Sequence, residues 1–169
     1  MKTVAVVVTG LLSVFVIACG GSDSGSDSTP SDGTTTLSLT EAIDQGDQIC
    51  QETSDDFTKL ADEYSADLKK GDYVAAGDVM DAIAGLTTDR GSQLGGISVD
   101  GDEQSTLDDY VAKGDESAEQ MNAMAESLRN KDIAGVTAAT KSIAKINVEE
   151  AALAQQFGFE QCGSGVTSN

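Results

Sequence analysis

The chain has 169 residues, 10 of them basic and 29 acidic, with no histidine and no tryptophan, for a formal net charge of −19. Such a charge repels nucleic acid and anionic lipid head groups alike. Without histidine, Ser-His and Cys-His nucleophile pairs, an imidazole base and the Glu-x-x-His motifs of di-iron bundles cannot be built. Histidine-dependent zinc and heme sites are excluded on the same ground, and no cofactor or metal is expected.

In chain order, a short positive end at Lys2 precedes Val4 to Ala18, an uncharged and mostly apolar run. It is shorter than the roughly 20 residues a bilayer span needs and suits the core of an export signal. The run closes on Val16-Ile17-Ala18-Cys19, which resembles the lipobox of bacterial lipoproteins. The resemblance implies that residues 1–18 are a signal peptide cut before Cys19, and that the Cys19 thiol carries a diacylglyceryl group. The protein would then sit in the cell envelope, lipid-anchored on the extracytoplasmic side of a membrane. Two or three acyl chains hold stably where one does not. Removal of the signal takes away one charge, Lys2, and moves the formal charge from −19 to −20.

From Gly20 to Thr36 the chain holds only Gly, Ser, Thr, Asp and its single proline, Pro30. Such a segment cannot bury enough apolar surface to offset its ordering entropy. Residues 19–37 therefore read as a disordered tether, spanning roughly 20–25 Å as a flexible coil. Residues 38–163 have the composition and length of one folded domain, and 164–169 read as a disordered tail.

The domain's apolar residues recur at helical spacing. Ile43, Cys50, Phe57 and Tyr64 lie seven apart, and Leu107, Val111, Gly114, Ala118, Met121, Ala125 and Leu128 alternate steps of four and three. Tyr73, Ala76, Met80 and Ile83 form a third stripe, and Val136, Ala139, Ile143, Ile146, Leu153 and Phe157 a fourth. These stripes predict four helices near 40–70, 72–93, 103–129 and 132–158, the first capped by Thr40. Two very short connections, Gly71-Asp72 and Asn130-Lys131-Asp132, make the expected fold an all-α, up-down-up-down four-helix bundle. The second helix, with Gly77, Gly85, Gly91 and Gly95, is the weakest, and its end is expected to fray or bend near Thr87-Thr88. "LKKGDYVAAGDVMDAIA" from Leu68 aligns without gaps to "LRNKDIAGVTAATKSIA" from Leu128, so the halves read as two similar helical hairpins.

With Cys19 lipidated, Cys50 and Cys162 remain, in an exported chain where disulfides persist. The bundle order brings the start of the first helix and the end of the fourth to one end, so the two are expected to be bonded. The C-terminal "FGFEQCG" (157–163), with a cysteine early in the first of four helices, resembles small helical lipoproteins of actinobacteria. That resemblance implies the fold and the disulfide and no activity.

Asp100-Gly-Asp102-Glu103 does not fit an EF-hand, since its sixth and twelfth positions are Ser105 and Val111; it reads as a solvated acidic loop. Met80, Met121 and Met124 read as packing. Acids crowd Asp100–Glu119 while Arg129–Lys145 is net positive, which predicts facing third and fourth helices with complementary charge. Glu150 falls on the fourth stripe and Asn147 beside it. Either Glu150 fringes the core with its carboxylate in solvent, or Glu150 and Asn147 line a cleft for a cationic or polar ligand, with Tyr64 and Tyr110 as aromatic companions. The expected function is a non-enzymatic interaction or accessory module for an envelope protein. The alternative is a small-ligand-binding lipoprotein with a cleft near Glu150, and a carboxylate-only enzyme is a third reading for which no paired acids stand out. Cys19→Ser should abolish lipid attachment and normal processing. Detergent phase partitioning checks this; a variant that still partitions with detergent and is cleaved at the same place would contradict it.

Overall fold

The computed structural model describes residues 36–162. The signal, Cys19, nearly all of the tether and the tail lie outside the described residues. Four helices follow in order: α1 (Leu39–Lys70), α2 (Tyr73–Leu94), α3 (Asp102–Arg129) and α4 (Ile133–Phe157). They form an all-α four-helix bundle, within a residue or so of the boundaries that periodicity sets. The cap of α1 differs: it is Ser38, whose hydroxyl accepts from the Glu41 N–H while the Glu41 carboxylate accepts from the Ser38 N–H at 2.9 Å. That reciprocal capping box outcompetes Thr40, which lies inside the helix. The tether also ends sooner than its polarity implies. The Leu37 N–H donates to the Ser98 carbonyl at 2.8 Å, and Leu37 forms an isolated parallel bridge with Val99. The long α2–α3 connection is thus anchored by buried Ile97 and Val99.

The two short turns are the same turn. The Gly71 and Lys131 N–H groups donate to the carbonyls of Leu68 and Leu128. The Asp72 and Asp132 N–H groups reach back to Asp67 and Ser127, and each aspartate then caps the next helix. The offset is 60 residues throughout, so the sequence repeat is carried into geometry. Its one mismatch is conformational. Gly71 has φ 75° and its counterpart Lys131 has φ 55°, a left-handed conformation that glycine adopts freely and side chains resist.

α2 runs unbroken past Thr87 and Thr88, whose hydroxyls donate to the carbonyls of Ile83 and Ala84. Gly77 serves packing: a Cβ there would come within 2.9 Å of the Ala125 carbonyl oxygen on α3, whereas one on Gly85 would meet nothing within 4 Å among the described residues. Charge pairing also differs in detail from expectation. Arg129 bonds Asp78 and Asp81 on α2, while the α3–α4 pair is Lys113–Glu149 at 2.8 Å, with the base on α3.

The core divides in two. One apolar cluster, with Ile49, Leu94, Leu107, Tyr110 and Phe157, fills the end where α1 and α3 begin. The other, with Met80, Met124, Leu128 and Ala139, fills the opposite end. Close packing runs from α1 to α2, α2 to α3 and α3 to α4, whereas α1 and α4 scarcely approach each other. Lys131→Gly should raise unfolding free energy by about 1 kcal/mol through relief of the left-handed backbone. Urea denaturation measures this; an unchanged or lower value would contradict the turn geometry.

Candidate functional site

The gap between α1 and α4 is a cleft of about 670 Å³. α1 supplies one wall through Ser54, Phe57 and Ala61, and α4 the other through Asn147, Glu150 and Ala151. Ile83, Thr87 and Arg90 of α2 and Ser117 and Met121 of α3 form the floor. On both α1 and α4 these residues recur at three- and four-residue steps, so each helix turns one face into the cleft.

Arg90 links the two walls. Its guanidinium carbon lies 5.1 Å from the centre of the Phe57 ring on α1, a cation–π contact. One of its nitrogens, Nη2, lies 3.4 Å from Glu150 Oε1 on α4. Both charged side chains are largely withdrawn from solvent, 18% exposed for Arg90 and 12% for Glu150. Burial pushes the Glu150 carboxyl above its ordinary range, and Arg90 opposes that only in part. Gly114 of α3 borders this carboxylate: a Cβ there would stand 3.7 Å from Oε1, an ordinary contact. Ser117, 1% exposed, lies one turn along α3 on the same face. Neither its hydroxyl nor the Asn147 amide makes a hydrogen bond among the described residues.

One end of the cleft is closed by residues 158–162. Cys50 and Cys162 form a disulfide with Cα atoms 5.1 Å apart and a sequence separation of 112, and both border the cleft. Beside the bond, the Asp47 carboxylate accepts from the backbone N–H groups of Glu160, Gln161 and Cys162 at 2.9, 2.8 and 3.3 Å. The Phe159 ring covers Gly46, where a Cβ would overlap it, and meets Tyr110 edge-on at 5.6 Å.

Of the residues singled out from sequence, Glu150 and Asn147 come together in the cleft, and the Glu150 carboxylate is neither free in solvent nor at the fringe. Tyr64 and Tyr110 stand outside the lining. Tyr110 is 2% exposed within the first apolar cluster, and its hydroxyl donates to the Cys162 carbonyl at 3.3 Å. Burial pushes its pKa up to about 12. Tyr64 packs half-buried against the second cluster. Phe57 is the aromatic side chain in the cleft. Sequence reasoning missed Arg90 and Ser117; the available signal was that Arg90, Gly114, Ser117 and Glu150 all interrupt or flank apolar stripes at one level of the bundle. Among the described residues no group of three or more His, Cys, Asp or Glu side chains is placed to hold a metal, and no helix is long and apolar enough to cross a membrane. Compared with protein-family models, curated proteins and solved structures, the chain matches none of them.

The Glu150 environment has a pH signature. A carboxyl whose pKa is raised on folding contributes stability that is present below its unfolded pKa and lost as the pH rises through the folded value. Glu150→Gln lacks this titration. The stability of wild type minus that of Glu150→Gln should therefore fall between acid pH and neutrality, as read from paired denaturation curves. A difference that rises with pH would mean that Arg90 outweighs burial.

Proposed function

We propose that this chain is a lipid-anchored envelope protein whose helical bundle binds a small polar ligand in the α1–α4 cleft. The anchor rests on Val16-Ile17-Ala18-Cys19 behind an export-like apolar run, and the net charge of −19 is consistent with a domain held off an anionic surface by a tether. No catalytic step is part of the proposal.

The single observation that carries the binding reading is the opening between α1 and α4, with Arg90 and Glu150 drawn into it from α2 and α4. A bundle whose only task is to be stable gains by closing that face with apolar side chains, since burying charged groups is costly unless they are well paired. Here the face is closed at one end only, by residues 158–162, and is furnished with polar groups at mid-height. Volume and convergent polar side chains on a concave surface are what small-ligand sites share. The interaction-module reading calls for one contiguous exposed apolar face. The large exposed apolar residues, Leu39, Val74, Ile133 and Val148, instead fall at both ends and in the middle of the bundle.

A thermal-shift screen of neutral, cationic, anionic and zwitterionic solutes tests the reading on the full chain in detergent micelles. At least one solute should raise the melting temperature saturably, because a ligand bound only by the native state stabilises it. Ala151→Trp, which places an indole in the cleft, should abolish that shift. A solute that stabilises both proteins equally binds elsewhere, and no response to any solute would contradict the cleft as a binding site.

A further inference from the structure

We infer that the cleft selects a zwitterion bearing a primary ammonium and a carboxylate, the head group common to free α-amino acids. The inference rests on the cleft being a ligand site, and it follows from how incompletely the site's own charges satisfy each other. Arg90 and Glu150 meet through a single contact of 3.4 Å, whereas an arginine and a carboxylate free to optimise pair through two parallel, shorter bonds. The remaining guanidinium N–H groups and the second Glu150 oxygen make no further hydrogen bond among the described residues.

A guest with one charge improves this arrangement only halfway. An amine that takes Glu150 leaves Arg90 without its anion, and a carboxylate that takes Arg90 does the same to Glu150. Within a low-dielectric cleft an unpaired charge is expensive. A guest with both charges inserts between the pair and satisfies each: its planar carboxylate meets the guanidinium fork, and its ammonium meets Glu150.

The acceptors around Glu150 also fit the count. A primary ammonium has three N–H donors. Glu150 and the Asn147 amide oxygen offer acceptors on the cleft surface and the Ser117 hydroxyl a third just beneath it, at 1% exposure, with no partner among the described residues for the latter two. Asn147 and Glu150 share one face of α4 three residues apart, and Ser117 lies one turn from Gly114, which borders the Glu150 carboxylate. A quaternary ammonium fits poorly. It has no N–H to donate, and the Phe57 face that would attract it lies under Arg90. Phe57, Ala61, Ile83 and Met121 give the cleft an apolar portion beside Arg90 and Glu150, while Gln51, Ser54, Asp55 and Thr58 of α1 line it with polar groups. The apolar portion suits an uncharged side chain on the guest.

Isothermal titration of the full chain in micelles decides among these possibilities. The probes are L-leucine, L-serine, L-lysine and L-glutamate, together with 3-methylbutylamine and 4-methylpentanoate, which are leucine without its carboxylate and without its ammonium. Saturable binding of leucine is expected, weakened about tenfold or more on loss of either charge from the probe, or on Arg90→Gln or Glu150→Gln. Ser117→Ala and Asn147→Leu leave the charges in place. They should weaken leucine less, and they keep the test valid if either charge variant fails to fold. If 3-methylbutylamine or 4-methylpentanoate binds as tightly as leucine, the zwitterion is wrong. If the four amino acids do not bind while a solute of another class shifts the wild type but not Ala151→Trp, the zwitterion is again wrong and the cleft stands. If nothing binds, both readings fail.

Discussion

The Cys50–Cys162 bond ties α1 to the far end of α4, two helices that otherwise scarcely touch. In an up-down-up-down bundle the first and last helices usually complete the ring by packing on each other. Here a short segment does that work at one end only. Asp47 collects three successive backbone N–H groups of residues 160–162, Phe159 fills the space that Gly46 leaves, and Tyr110 holds the Cys162 carbonyl. Closing a loop of this length removes unfolded-state entropy on the order of 4–5 kcal/mol in the chain-entropy model. The bond can therefore stand in for much of the packing that an α1–α4 seam would supply.

Because closure is concentrated at that end, the middle of the bundle is released from the need to be apolar. Ile49, Leu107 and Phe157 belong to one cluster and Met124, Leu128 and Ala139 to the other. Between them lie Thr87, Arg90, Ser117 and Glu150, each polar and each set against the cleft. Thr87 satisfies its hydroxyl within α2. Arg90 and Glu150 do so incompletely, and that shortfall makes the level chemically receptive. Stability is drawn from the two ends, and the recognition we propose falls at the centre.

The fold was largely legible in the sequence because each helix carries its own stripe and each short turn its own capping aspartate. Asp72 and Asp132 are visible as punctuation, and the structure uses both as N-caps in equivalent turns. The disulfide was legible as well, since a bundle order leaves two cysteines at one end. The candidate site was legible only in part. Glu150 and Asn147 break a stripe and so announce themselves. Arg90 gives a fainter signal, because it continues the α2 stripe only through Thr87, beyond its last apolar member Ile83. The tyrosines misled because an aromatic at a stripe position serves a core as readily as a pocket, and Tyr110 is taken by the first cluster. Periodicity reports which face of a helix is buried. It does not report that two such faces stay apart, which depends on where the chain is tied.

The central claim, that α1 and α4 are joined at one end and open at the middle, is tested most directly by nuclear Overhauser contacts in the isotope-labelled full chain. Contacts should link α1 to α2, α2 to α3 and α3 to α4 along their lengths, but link α1 to α4 only around Cys50, Gly46 and residues 157–162. Dense contacts from Phe57 and Ala61 to Asn147 and Ala151 would mean that the helices close on each other, and the account of an open, charged cleft would be wrong.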